Sequence, residues 1–89
     1  MVIIQEYIRF ALYKIVTSIS HHKGQCMHFI SRDADVQYAH VFKLIKYHKN
    51  LFFTEIEGRK LNVFLSNDGK RLLKAYNIMY DLVANPEVQ

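Results

Sequence analysis

Residues 37–49 read Gln-Tyr-Ala-His-Val-Phe-Lys-Leu-Ile-Lys-Tyr-His-Lys, and the rest of the chain is organised around this segment. Val41, Leu44, Ile45 and His48 recur at helical spacing on one face. Tyr38, Lys43, Lys46, Tyr47 and Lys49 cover much of the remainder, with no acidic residue among them. An amphipathic helix with an apolar seat and a basic, aromatic outer surface is suited to lie against a polyanion. A charged outer face is more often merely solvated, so the flanking segments decide how this one is read.

Upstream, residues Cys26 to Ala34 have room only for a short helix with Met27, Phe29 and Ile30 as apolar contacts. Asp33-Ala34-Asp35-Val36 then makes a tight polar turn. Short helix, turn and amphipathic helix follow the helix-turn-helix plan. Ala34 allows close helix approach, Val36 is a buried turn residue, and Gln37 or Asp35 caps the following helix.

Downstream, Asn50 is placed to end the helix in the left-handed conformation. Residues 51–57 and 61–65 are rich in β-formers and flank Gly58-Arg59-Lys60, which predicts a two-stranded hairpin with a basic tip. Ser66 caps a helix reaching Ala84, in which Leu72, Leu73, Tyr76, Met79, Tyr80 and Val83 repeat at three and four residues. Asn85-Pro86 stops it, and the tail beyond Pro86 is expected to fray.

At the other end, Ile4, Ile8, Ala11, Leu12, Ile15, Val16 and Ile19 define a helix from Val2 to Ser20, with Ile3, Tyr7 and Phe10 widening its stripe. So broad a stripe is buried on two sides or meets a second copy of the chain. His21-His22-Lys23-Gly24 ends that helix, with Gly24 in the left-handed position. Gln5, Glu6, Arg9 and Lys14 interrupt the apolar run, and no basic leader or small-residue cleavage site accompanies it, so it reads as mature helix.

The 89 residues fit one domain, 1–89, in which long first and last helices form a dimer interface. A hydrophobic content of 51% with six Tyr and six Phe excludes a disordered chain, and the charges interrupting the apolar runs exclude a membrane span. Cys26 is the only cysteine and forms no internal disulfide, which makes a reducing cytoplasm the expected compartment. The net charge of +4 is uneven: residues 21–80 hold ten Lys or Arg against five Asp or Glu. An acidic partner is favoured, either nucleic acid or an acidic protein face.

The order helix, helix, helix, strand, strand, helix resembles the winged helix-turn-helix superfamily, especially small MarR-like, PadR-like and archaeal or archaeal-virus DNA-binding proteins. Leu65-Ser66-Asn67-Asp68-Gly69-Lys70-Arg71-Leu72-Leu73 is similar to the Leu-Thr-x-x-Gly-x-x-Leu-Leu with which many such families leave the wing for the last helix. Val36-Gln37-Tyr38-Ala39-His40-Val41 is similar to the Val-Ser-x-x-x-Val that opens their recognition helix. The resemblance spans residues 26–76 and implies an α+β, mainly α, winged fold of order α-α-α-β-β-α. Where the family usually shows Gly-Leu before the wing, this chain has Asn50-Leu51, and its short hairpin loop implies a small wing.

The resemblance also implies double-stranded DNA as partner and a small dimeric transcription regulator in the cytoplasm, associated with the nucleoid. The first half of helix 37–49 would enter the major groove, with Gln37, Tyr38, His40 and Lys43 at base edges. Gln pairs with adenine and Lys with guanine. Lys46, Tyr47, His28 and Arg32 are placed for phosphates, and wing residues Arg59 and Lys60 for the minor groove or its phosphates. A winged helix can instead be a protein-interaction or scaffolding module, with the apolar first helix and Tyr76 and Tyr80 as its working surface.

For catalysis, no paired carboxylates, Ser or Cys nucleophile with a His base, phosphate loop or HExxH-type helix occurs at workable spacing, so an enzyme is not expected. No cofactor is expected either. His21, His22, Cys26 and His28 lie within eight residues but match no established zinc spacing, and Cys26 is more often a small core residue; whether they bind metal stays open.

Overall fold

The structure, a computed structural model, describes residues 2–84, with side chains described for residues 10–82. Its elements run α1 (Val2–His21), β1 (Gln25–Cys26), α2 (Met27–Ala34), α3 (Tyr38–Tyr47), β2 (Phe52–Glu57), β3 (Lys60–Leu65) and α4 (Asn67–Ala84). The fold is a winged helix of α+β class, with the expected helices and hairpin in the expected order. The expected stop at Asn85-Pro86 and the tail lie outside the described residues.

Helix α1 is the spine. Ala11, Leu12, Ile15, Val16 and Ile19 are buried, and the helix packs against α2, α4 and β3. Over this stretch its apolar stripe is therefore buried on two sides, the first of the two alternatives. Ile4 and Ile8 of the stripe, and Ile3 and Tyr7 that widen it, lie outside the described side chains, while Phe10, which also widens it, is exposed.

Gly24, at φ 73, turns the chain off α1 as expected. A Cβ there would come within 3.2 Å of the Phe64 ring, so a side chain is disfavoured by both φ and space. The turn delivers Gln25 and Cys26 alongside β3, where they pair antiparallel with Val63 and Asn62. This two-residue strand, absent from the sequence reading, makes a three-stranded sheet of order β1-β3-β2. Two residues are too few to show the alternation by which strands are recognised. The second helix accordingly begins at Met27, and Cys26 sits half-buried in the strand rather than in the core.

Helix α2 buries Met27, Ile30 and Ala34, with Phe29 half-buried. It ends on Asp35, the one non-glycine at positive φ among the described residues (φ 56, ψ 50). The Asp35 N–H donates to the Arg32 carbonyl and the Val36 N–H to the Ser31 carbonyl, the paired bonds of a Schellman turn. Asp tolerates the left-handed conformation better than most residues with a Cβ. The Ser31 hydroxyl donates to the Val36 carbonyl, and Val36 is buried as expected.

Two helix ends differ from the sequence reading. Gln37 occupies the position before α3 but makes no side-chain capping hydrogen bond, and Asp35 closes α2 rather than opening α3. Helix α3 also ends at Tyr47, short of Lys49, and Asn50 is not left-handed. His48 bonds back to Leu44, and the Leu51 N–H donates to the His48 carbonyl at 2.9 Å, so a tight turn of negative φ replaces the expected cap.

In the hairpin, Phe52 faces Leu65, Glu55 faces Asn62 and Glu57 faces Lys60. That register leaves Gly58-Arg59 as a two-residue turn with positive φ at Gly58 alone (φ 64), the pattern of a type II′ turn. Phe52, Val63 and Leu65 are buried at the base, while the distal half of the wing stands out from the core.

Ser66 caps α4: its hydroxyl accepts from the Gly69 N–H at 3.1 Å and donates to the Asn50 carbonyl. Gly69 is buried where the helix crosses Leu51, and a Cβ added to it would lie 2.2 Å from the Leu51 carbonyl oxygen. Tyr13 of α1 holds α4 with its ring centroid 5.4 Å from that of Tyr76 and 4.7 Å from that of Tyr80. No helix among the described residues is long and apolar enough to cross a membrane.

Gly69 yields a prediction whose sign opposes helix propensity. Alanine is the better helix former by about 1 kcal/mol. Here the overlap with a backbone oxygen forces α4 to shift, and Gly69→Ala is expected to lose about 1–3 kcal/mol of stability, read from urea unfolding midpoints. A midpoint equal to or above wild type would show that α4 does not approach Leu51 this closely.

Candidate nucleic-acid interface

The seat of α3 is set by Val41, Leu44 and Ile45, all buried. At 3.6 residues per turn, the pole opposite those three falls between Ala39, Lys43 and Lys46, with Phe42 and Tyr47 on its flanks. Tyr38, Ala39, Phe42, Lys43, Lys46, Tyr47, Lys49 and Asn50 line one open groove along the helix. Among the described residues Tyr47 is the most exposed aromatic, at 84%. From Val36 to Thr54 the sequence holds three Lys and no acid, so the groove's positive charge has no neutralising residue on its own segment.

Six of the ten expected contact residues lie on or beside this helix. Tyr38, Lys43, Lys46 and Tyr47 face outward in the groove, and Gln37 is exposed at the helix start with its amide not engaged in capping. His40 differs: it lies on the flank of the helix and is half-buried. His48, on the apolar face, is likewise half-buried.

Helix α2 adds its own residues to this surface. The His28 ring stacks on Tyr38 with centroids 4.4 Å apart and planes 23° apart, so the outer surfaces of α2 and α3 meet there. Arg32, one turn further along α2, is exposed.

Arg59 and Lys60 are exposed at the wing tip. The basic tip expected from the sequence is offset by Glu55 and Glu57, also exposed, with Glu57 directly across from Lys60. Two acids and two bases over residues 55–60 leave the tip without net charge. Of these two surfaces, α3 and not the wing tip carries net positive charge.

Phe42 was missed by the sequence reading. It is 45% exposed, and the Lys46 ammonium lies 6.0 Å from its ring centroid. Its signal was available: Phe42 stands one turn after Tyr38 and one turn before Lys46, outside the Val41, Leu44, Ile45 seat. Surface apolar residues draw less notice than charges because single ones are common.

The His and Cys cluster disperses. His22 sits 3.7 Å from the Asp33 carboxylate and edge-on to Phe29, while His28 stacks on Tyr38. Among the described residues, no group of three or more His, Cys, Asp or Glu is placed to hold a metal ion.

No family profile and no curated protein sequence matches the chain. Solved structures do. MepR, a transcription regulator of the Staphylococcus aureus multidrug efflux pump MepA, superposes with a TM-score of 0.78 at 18% identity, over 94% of this chain and 69% of that one. MepR in complex with DNA gives a TM-score of 0.66 at 14% identity, over 86% and 60%. Bordetella bronchiseptica BpsR, whose DNA binding is regulated by 6-hydroxynicotinic acid, gives 0.76 at 17% identity over 85% and 58%. AF1382 of Archaeoglobus fulgidus gives 0.71 at 18% identity over 84% and 88%. The chain thus spans about six-tenths of the length of the BpsR and DNA-bound MepR chains. The fold shared with these structures is the winged helix-turn-helix that the sequence motifs implied.

Proposed function

We propose that the chain is a dimeric transcription regulator that binds double-stranded DNA with sequence preference, α3 lying in the major groove and the wing tip near the minor groove. The observation that carries this reading is the outer face of α3: Lys43, Lys46 and Lys49 in one exposed groove on a segment without an acid. The likeness to MepR, which has been solved with DNA, supports it. Gln37 and Lys43, at the helix start and outer pole, read base edges. His28, Arg32, Lys46 and Tyr47 neutralise or position phosphates. No catalytic step is assigned to the chain.

The dimer is supported by α4. Ala75, Ile78, Met79 and Leu82 are exposed at spacings of three and four residues, on the side away from the Tyr13, Tyr76 and Tyr80 cluster. Ile78 and Leu82 are 56% and 57% exposed, and Phe10 of α1 is exposed as well. A second copy covering this stripe would remove from water a patch of the kind monomers rarely display. The scaffolding alternative loses part of its support, since Tyr76 and Tyr80 pack against α1 instead of forming an outward surface.

Two experiments test this reading. Leu12 is buried in the protomer core and Ile8 lies outside the described side chains, so the dimer is probed at the outer stripe instead. Ile78→Glu with Leu82→Glu is expected to give folded monomers by circular dichroism and sedimentation at tens of micromolar. Wild-type protein sedimenting as a monomer there would remove the dimer from the proposal. With a dimer, two α3 helices about 34 Å apart would read two half-sites one turn apart.

The second experiment separates the kinds of contact. Gln37→Ala and Lys43→Ala should each cost about 1–3 kcal/mol on the preferred duplex and much less on random duplex. Arg59→Ala with Lys60→Ala should weaken all duplexes alike and flatten the salt dependence by about one unit per residue. If all of these variants bound like wild type, the α3 surface would be a solvated face and the interaction-module reading would replace this one.

A further inference from the structure

We infer that Phe42 reads the C5-methyl group of thymine, which makes the preferred site of this protein rich in thymine where the outer face of α3 enters the groove. The inference deepens the DNA-binding reading and rests on it.

Phe42 is a large apolar ring left nearly half exposed in the basic groove along α3. Ala39, exposed one turn earlier on the same groove, leaves space beside it rather than covering it. The Lys46 ammonium lies 6.0 Å from the ring centroid, and Lys43 is the next residue in the chain. The occupant that suits this surface is strongly anionic and presents an apolar group to an aromatic ring. A second copy of the chain fails the first condition, because Lys43, Lys46 and Lys49 would meet their own like charges.

Duplex DNA meets both conditions. Its phosphates take the lysines, and the apolar group among the base-pair features of the major groove is the thymine methyl, which aliphatic and aromatic side chains contact. Phe42 sits on the helix between Tyr38, near the start, and Lys46, in the last turn. It therefore lies between residues assigned to bases and residues assigned to backbone, where a rigid ring can reach a methyl standing out from the base edge.

The test uses the full chain and duplexes selected by it from a random pool. The preferred duplex is then remade with deoxyuridine for thymidine, which deletes the methyl and keeps every hydrogen-bonding group. Wild-type protein is expected to bind the uracil duplex about fourfold more weakly for each methyl contacted. Phe42→Ala should bind the thymine duplex more weakly by a similar factor and no longer distinguish the two duplexes. Phe42→Leu, which retains an apolar side chain, should keep part of the distinction, and unchanged thermal unfolding of both variants secures the comparison. Equal binding of thymine and uracil duplexes by wild type overturns the inference and leaves DNA binding standing. So does a thymine preference that survives in Phe42→Ala. Tighter binding to single strands than to any duplex also overturns it, since Phe42 would then stack on bases. The absence of salt-dependent binding to any nucleic acid overturns the DNA reading and this inference together.

Discussion

The carbonyl of Leu51 is the point at which the recognition segment, the wing and the last helix are joined. It accepts the Ser66 N–H at 3.0 Å and has Gly69 directly against it, so the first turn of α4 rests on the backbone that follows α3. Ser66 completes the joint, receiving the Gly69 N–H and donating to the Asn50 carbonyl with one hydroxyl. Both ends of the hairpin are closed there by main-chain groups, which cannot shift rotamer as side chains do. The first turn of α4 is thus tied by hydrogen bonds and close packing to the chain just past α3. The helix with the outer apolar stripe and the helix with the basic groove are mechanically one piece at this corner.

A second constraint acts at the other end of α3. The Schellman turn at Asp35 fixes the angle at which α3 leaves α2, and Val36 anchors that turn in the core. With Val41, Leu44 and Ile45 buried beneath, α3 is held at its start, along its seat and after its end. Side chains on its outer face thus project from a rigid base. Rigidity of this sort is what a surface needs if it is to discriminate among partners of nearly identical shape, because misplaced contacts are not absorbed by the backbone.

The helices of this fold were legible because their apolar residues recur at three and four positions, as in Ile15 with Ile19 and Val41 with Leu44 and Ile45. The wing and the Ser66 cap were legible from β-formers around Gly58 and from a hydroxyl ahead of a helical run. Strand β1 was not, since it exists only through pairing with residues nearly forty positions away. The end of α3 was misread because Asn50 suits a left-handed cap by type, whereas it sits in a turn of negative φ with its carbonyl bonded to the Ser66 hydroxyl. On the site, charge marked Lys43 and Lys46 correctly as outward, but it also marked the wing as basic. The sequence contains Glu55 and Glu57 just as plainly, yet only the register shows that Glu57 stands opposite Lys60. His40 was placed outward from its nearness to the helix start, whereas it is half-buried on the flank of the helix.

Those two glutamates have another consequence. In the order β1-β3-β2, strand β2 is an edge, six residues long, with one row of backbone groups turned away from β3. Phe53 and Ile56 are exposed on it, Ile56 at 79%, which is a composition that invites a foreign strand to add itself. Glu55 and Glu57 flank Ile56, so a strand pairing in register with a second β2 would bring carboxylates side by side. The acids that leave the wing tip without net charge thus act as gatekeepers of the sheet margin, keeping a sticky ribbon from polymerising with its own kind.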